Sequence, residues 1–112
     1  CMDCIFCKII AGEIPSKKVY EDEKVFAFYD INPQAKIHVL VVPKQHICCA
    51  NKIDAGNSGA VAADFEAIPK IAKQLGIISY RVINNCGEKA GQSVLHLHFH
   101  LLYDEKLGAK IV

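Results

Sequence analysis

Three of the five histidines stand in one stretch, His96-Leu97-His98-Phe99-His100-Leu101-Leu102, each separated from the next by a large apolar residue. A β-strand turns successive side chains to opposite faces. Read as a strand, the stretch places His96, His98 and His100 on one face and Leu95, Leu97, Phe99 and Leu101 on the other, toward a core. A helix would scatter the rings around its axis. One histidine alone is usually a surface residue or a satisfied core residue. Three in strict alternation are poor filling, because each buried ring nitrogen needs a partner, and the apolar spacers are wrong for an affinity tag. Two chemistries fit. Rings about 7 Å apart along one strand face can converge on a metal. Alternatively, a neutral imidazole attacks phosphorus or a carbonyl carbon, and neighbouring rings orient it or serve its leaving group. The preceding loop, Asn85 to Gln92 with Ser93 after it, favours the second reading. Its glycines allow close backbone approach, and its donors can cradle a phosphate.

Cys4 and Cys7 form a C-x2-C pair, a common zinc half-site that two histidines would complete as a tetrahedral set. The remaining four of the six cysteines are the adjacent pair Cys48 and Cys49 and the isolated Cys1 and Cys86, unlike a stapled mini-domain. Asp3 and Lys8 occupy what would be the apolar region of a signal peptide, so reduced thiols and a cytoplasmic setting are expected. A net charge of +1 argues against a nucleic-acid partner, which needs a clustered basic excess. No apolar run approaches the roughly 20 residues of a membrane span, so no membrane partner is expected.

The elements that must carry these groups follow in order. Asp3 is placed to cap a short helix over Cys4 to Ala11, ended by Gly12. Lys18 to Glu21 and Val25 to Tyr29 read as a hairpin, broken at Asn32-Pro33-Gln34. Ile37 to Val42 is nearly all apolar, as expected of a central strand covered on both faces. Lys44 to Ser58 reads as a variable, mobile loop. Ala60 to Leu75 reads as the main helix, with Val61, Phe65, Ile68, Ala72 and Leu75 at helical spacing and a kink or break expected at Pro69. Ser79 to Asn84 reads as the strand before the loop and the histidine strand. With 52% hydrophobic and 22% charged residues, residues 1–112 suit one α+β domain, with a mostly antiparallel sheet, one main helix and a short N-terminal helix.

The triad, with Asn85 and Gly91-Gln92-Ser93 before it, resembles the motif of the histidine-triad (HIT) family. So do Asp30-Ile31-Asn32-Pro33-Gln34-Ala35, His38, Val42-Pro43-Lys44-Gln45-His46-Ile47, and Cys4-Ile5-Phe6-Cys7-Lys8-Ile9-Ile10 with Gly12 to Pro15. The likeness runs from about Cys4 to Leu102 and is nearest the nucleotide-binding, phosphoramidase-like branch. It implies a HIT-like fold in a homodimer whose sheets join. It also implies hydrolysis at the α-phosphate of purine nucleoside phosphoramidates or related AMP and GMP derivatives, through a nucleotidyl-histidine intermediate. By position, His98 would be the nucleophile, with Nδ1–H held by the carbonyl of His96. His100, Asn85, Gly91, Gln92 and Ser93 would serve the phosphate and the leaving group, and His38 would orient the cluster. Asp30 would take the ribose hydroxyls, and Ile5, Phe6, Ile9, Tyr29, Ile31 and Leu40 would sandwich the base. Bacterial members imply a structural zinc on Cys4, Cys7, His46 and His96, which would remove His96 from acid–base work. The tail from Leu107 to Val112 has no tryptophan, where many short members carry one. A dinucleoside polyphosphate hydrolase and a nucleotide-binding regulatory module with little turnover remain open beside the phosphoramidase reading.

Overall fold

In the computed structural model, which describes residues 4–109 and 111, the strand Ile37–Pro43 (β3) lies at the centre of the fold. Only its first residue, Ile37, is not fully buried. Before it come Lys18–Glu21 (β1) and Val25–Tyr29 (β2); after it come Arg81–Ile83 (β4) and Phe99–Tyr103 (β5). The sheet order is β1-β2-β3-β5-β4, and every pairing is antiparallel. The β1–β2 turn is fixed by Asp22, whose Oδ1 accepts from the N–H groups of Lys24 and Val25 at 2.8 and 2.9 Å. This is the local bond by which an aspartate specifies a turn.

The alternation of β3 divides the core in two. Val39 and Val41, with Val25 and Ala27 of β2 and Leu97, Phe99 and Leu101, pack against the long helix Ser58–Leu75 (α2). Leu40 and Val42, with Phe26 and Phe28, pack against Phe6 and Ile9 of the short helix Ile5–Ile10 (α1). His38 and His100 share the parity of that second face. Leu40 is paired with His100 and His38 with Leu102, so the two histidines are diagonal neighbours across β3 and β5.

Several expectations change. The Asp3 cap lies outside the described residues; the cap observed is Cys4, whose Sγ accepts from the Cys7 N–H at 3.4 Å. Helix α2 runs unbroken through Pro69. Proline removes one hydrogen bond, to the carbonyl of Phe65, and both residues lie on the exposed side of the helix. The buried stripe of α2 is Ala60, Asp64, Ala67, Ile68, Ile71 and Ala72, with Phe65 half out in solvent. The strand expected over Ser79 to Asn84 pairs only at Arg81–Ile83. Lys44 to Ser58 is tied down: Ile47 is buried, and its carbonyl accepts from the Leu97 N–H at 2.6 Å. The largest change concerns the histidines, for β5 begins at Phe99 and not at His96.

Candidate active site and metal cluster

Because the ladder starts late, His96 and His98 sit on irregular chain, and the three rings occupy different surroundings. Leu95 points to solvent, not to the core. Leu97 N–H bonds to Ile47, and the Asn84 side-chain amide donates to the His98 carbonyl at 2.9 Å. Asn84 had no sequence signal separating it from its neighbour Asn85.

Backbone groups set the tautomer of each ring. Nδ1 of His98 lies 2.7 Å from the carbonyl of His96. A carbonyl only accepts, so Nδ1 carries the hydrogen and Nε2 keeps its lone pair. Nε2 of His96 lies 2.9 Å from the carbonyl of Pro43, which leaves its Nδ1 as the lone-pair atom. The Gln34 N–H donates to Nδ1 of His38 at 3.0 Å, so Nε2 of His38 holds the hydrogen and donates to Nδ1 of His100 at 2.8 Å. That places the hydrogen of His100 on Nε2. Burial lowers the pKa of all four rings. For His96 and His100 it reaches about 4, with neighbouring histidine charges adding to the effect on each. For His38 and His98, burial outweighs the opposing pull of Asp30, and for His98 also that of the His96 carbonyl. The rings are therefore neutral near pH 7. His98 offers a lone pair, and His100 offers a donor.

A groove of about 670 Å³ is lined by Ile9, Tyr29, Asp30 and Ile31 together with Pro15, Ser16, Lys17, Phe28 and Pro33. Its volume is in the range of small-molecule sites. The last five of these residues were missed by the sequence reading; Phe28 follows from the parity of β2, but nothing local marks the others. Asp30 accepts from the Asn32 N–H through Oδ1 at 2.8 Å, and its Oδ2 lies 3.5 Å from Nε2 of His38. Phe6 and Leu40 are buried and do not line it, and Ile5 is exposed on α1.

The loop from Asn85 to Ser93 is built around Gln92, which is buried. Its Oε1 accepts from the Gly87 N–H at 2.8 Å, and its Nε2 donates to the carbonyls of Cys48 and Val94 at 2.8 and 3.0 Å. That side chain is spent holding the loop. Gly91 has φ +98°, which favours glycine, and Asn85 lies alongside it. Ser93 is exposed.

The second cluster is Cys4, Cys7, His46 and His96, whose donor atoms lie within 4.8 Å of one another. Nδ1 of His96 is 3.3 Å from Sγ of Cys4, 3.6 Å from Sγ of Cys7 and 3.2 Å from Nδ1 of His46; Cys7 Sγ is 3.5 Å from His46 Nδ1. A tetrahedron with zinc–sulfur bonds of about 2.3 Å and zinc–nitrogen bonds of about 2.0 Å has edges of roughly 3.3–3.8 Å. The donor set and its spacing therefore fit one such cation, with His96 already presenting a lone pair. A second group, Asp30, His38 and His100, also converges. There, however, Nε2 of His38 holds the hydrogen aimed at His100, which leaves no lone pair for a cation.

Residues 11–107 match the family model described as HIT domain. The chain belongs to the HIT family. It is similar to a HIT family hydrolase from Clostridium thermocellum, with 47% identity and a TM-score of 0.96 over 100% of this chain and 99% of that one. It is likewise similar to a histidine triad protein from Clostridium difficile, at 51% identity and a TM-score of 0.93 over 98% and 97% of the two chains. Among curated HIT relatives, the purine nucleoside phosphoramidase of Escherichia coli K12 is 44% identical over 108 residues, 95% of this chain and 91% of that protein. The five-stranded antiparallel sheet with one main helix and one short helix is thus the HIT fold, as the sequence led one to expect. Among the described residues, no helix is long and apolar enough to cross a membrane.

Proposed function

We propose that this HIT protein is a nucleotidyl hydrolase acting on purine nucleoside phosphoramidates. One observation carries the reading: the carbonyl of His96 fixes the hydrogen of His98 on Nδ1 and leaves a neutral lone pair on Nε2. In the first step Nε2 attacks the α-phosphorus. The phosphorus–nitrogen bond breaks with its electron pair going to the amine, which takes up a proton and leaves a nucleotidyl-His98. Water then attacks phosphorus, the bonding pair returns to Nε2, and the nucleoside monophosphate departs. His100 donates from Nε2 to a phosphate oxygen or to the leaving group, His38 holds His100 in that tautomer, and Asn85, Gly91 and Ser93 line the phosphate with donors. Asp30 accepts from the ribose hydroxyls through Oδ2, and the base lies in the groove between Ile9, Tyr29 and Ile31. The E. coli relative, named a purine nucleoside phosphoramidase, supports the substrate class.

Cys4, Cys7, His46 and His96 would hold a structural zinc, which supplies cross-linking and no open position for substrate. A homodimer joined through β4, an edge strand flanked by the exposed Ile78 and Tyr80, accounts for the apolar surface beside it. The reaction is tested by mixing enzyme with adenosine 5′-phosphoramidate, quenching in milliseconds and mapping the adduct by mass spectrometry. One adenylyl group on His98 is expected. Turnover with no adduct at any quench time, or an adduct elsewhere, overturns the scheme. Competition with a diadenosine polyphosphate separates phosphoramidase from dinucleotide hydrolase, and absence of turnover on both leaves a binding module.

A further inference from the structure

Phe6 lies between the two cysteines of Cys4-Ile5-Phe6-Cys7, is 6% exposed, and is not part of the groove lining. Its ring stands edge-to-face on His98, with centroids 5.1 Å apart and planes at 86°. Behind it, Phe28 is 5.5 Å away at 75°. The His98 ring is thus bounded by Phe6 on one side and by His100 on another, 5.0 Å away at 70°, while the carbonyl of His96 holds its Nδ1. Lone-pair direction depends on this setting, because a rotation of the ring takes Nε2 off the line of attack.

Two of those three supports lead to the same place. Helix α1 has 6 residues, too few to be stable by its own hydrogen bonds. Its position is set by packing and by the contacts its N-terminal cysteines make with His46 and His96. His96 in turn supplies the carbonyl that orients His98. The carbon framework of the cluster therefore reaches the ring by two routes: through Phe6, carried between the cysteines, and through the backbone of His96.

We propose that Phe6 is a positioning residue for His98, and that the Cys4, Cys7, His46 and His96 cluster sets the ring of the nucleophile through Phe6 and the His96 carbonyl. A cation bound there governs turnover without touching substrate. The inference rests on the nucleotidyl-hydrolase reading for its consequence in kcat, but the ring setting itself can be read without catalysis. It also assigns Phe6 a different task from that of a base-sandwiching residue.

The test uses the full chain loaded with zinc, compared with Phe6→Leu, with Cys4→Ser/Cys7→Ser and with the triple variant. Three readouts are taken: kcat and KM for adenosine 5′-phosphoramidate, AMP affinity by calorimetry, and the imidazole 15N signals of His98 by NMR. Phe6→Leu is expected to keep its zinc and its AMP affinity, to lower kcat roughly threefold to tenfold, as loss of one aromatic pair would, and to move the His98 signals toward a tautomer mixture. The double cysteine variant is expected to lose zinc and show the same signal change. In that background Phe6→Leu should cost less than in the parent, because the two act through one ring. Unchanged kcat and unchanged His98 signals in Phe6→Leu overturn the proposal. So does a weakened AMP affinity with kcat intact, which would return Phe6 to base binding. Should a variant fail to fold, chelation of zinc from the unmodified protein decides: His98 signals that do not respond overturn the proposal, and a shift supports it. A parent without turnover would overturn the hydrolase reading, while the NMR arm still decides the ring setting.

Discussion

Replacing Asp64 with asparagine should stabilise the protein at neutral and alkaline pH and change it little in acid. Asp64 occupies the buried stripe of α2, in line with Ala60, Ala67, Ile68 and Ile71, where an apolar residue belongs. It is fully buried, and neither carboxylate oxygen has a partner among the described residues. Burial, with the Asp22 charge adding to it, raises its pKa from 3.8 to about 8. The unfolded chain therefore ionises Asp64 near pH 4, while the folded chain holds the proton. Stability from this group is complete below the unfolded pKa, falls by about 1.4 kcal/mol per pH unit above it, and levels off beyond the folded pKa. At pH 7 the deficit is about 4 kcal/mol by this linkage. Asparagine keeps the shape and removes the charge. Urea unfolding followed by far-UV circular dichroism, from about pH 5 to about pH 9, measures the difference. The gap between Asp64→Asn and the parent should widen with pH and then flatten. Parallel curves, or a variant weaker than the parent at high pH, would refute the reasoning. Asp64→Leu, which also removes the two unpartnered oxygens, should gain at least as much.

Three further outcomes are expected. His98→Ala should lower kcat/KM by roughly a thousandfold or more while AMP affinity, by calorimetry, stays within about threefold; retained turnover would count against His98 as nucleophile. Gln92→Ala strands the Gly87 N–H and the Cys48 and Val94 carbonyls, so unfolding free energy should drop by about 1–3 kcal/mol and kcat should fall. A destabilised variant with normal kcat would separate the loop from the phosphate. Ile78→Asp at the 96%-exposed site before β4 should shift sedimentation to monomer. Losing burial of about 1.5–3 kcal/mol on each of two symmetric copies weakens dimerisation by roughly a hundredfold to ten-thousandfold, and a variant still dimeric would place the interface elsewhere.

The sheet was legible because its strands obey local rules. Val25–Tyr29 is bounded by polar turns, and Ile37–Pro43 is apolar on both parities because both of its faces are covered. What failed depended on partners distant in sequence. The histidine strand was read as starting at His96 because alternation was the only signal; the chain there is claimed instead by Ile47, Pro43 and Asn84. Alternation thus found the right residues but could not show that their rings have separate tasks. The stripe of α2 was right at Ile68 and Ala72 but missed Ala60, Asp64, Ala67 and Ile71, because Val61 and Phe65 form a second apolar line beside the buried one. An aspartate in the true stripe reads as evidence for the wrong line. The convergence of Cys4, Cys7, His46 and His96 in one cluster was implied by resemblance and could not be reached from spacing, since His96 lies 89 positions beyond Cys7.

The hydrogens of His38, His96 and His98 are all assigned by main-chain groups: the Gln34 N–H and the carbonyls of Pro43 and His96. Amides and carbonyls survive nearly every substitution. Variation at the surrounding side chains can therefore reshape what the groove admits while leaving the polarity of the reacting atoms untouched. A library that randomises the groove should yield proteins altered in selectivity far more readily than proteins with a different attacking atom. To change the attacking atom, the path of the chain would have to move.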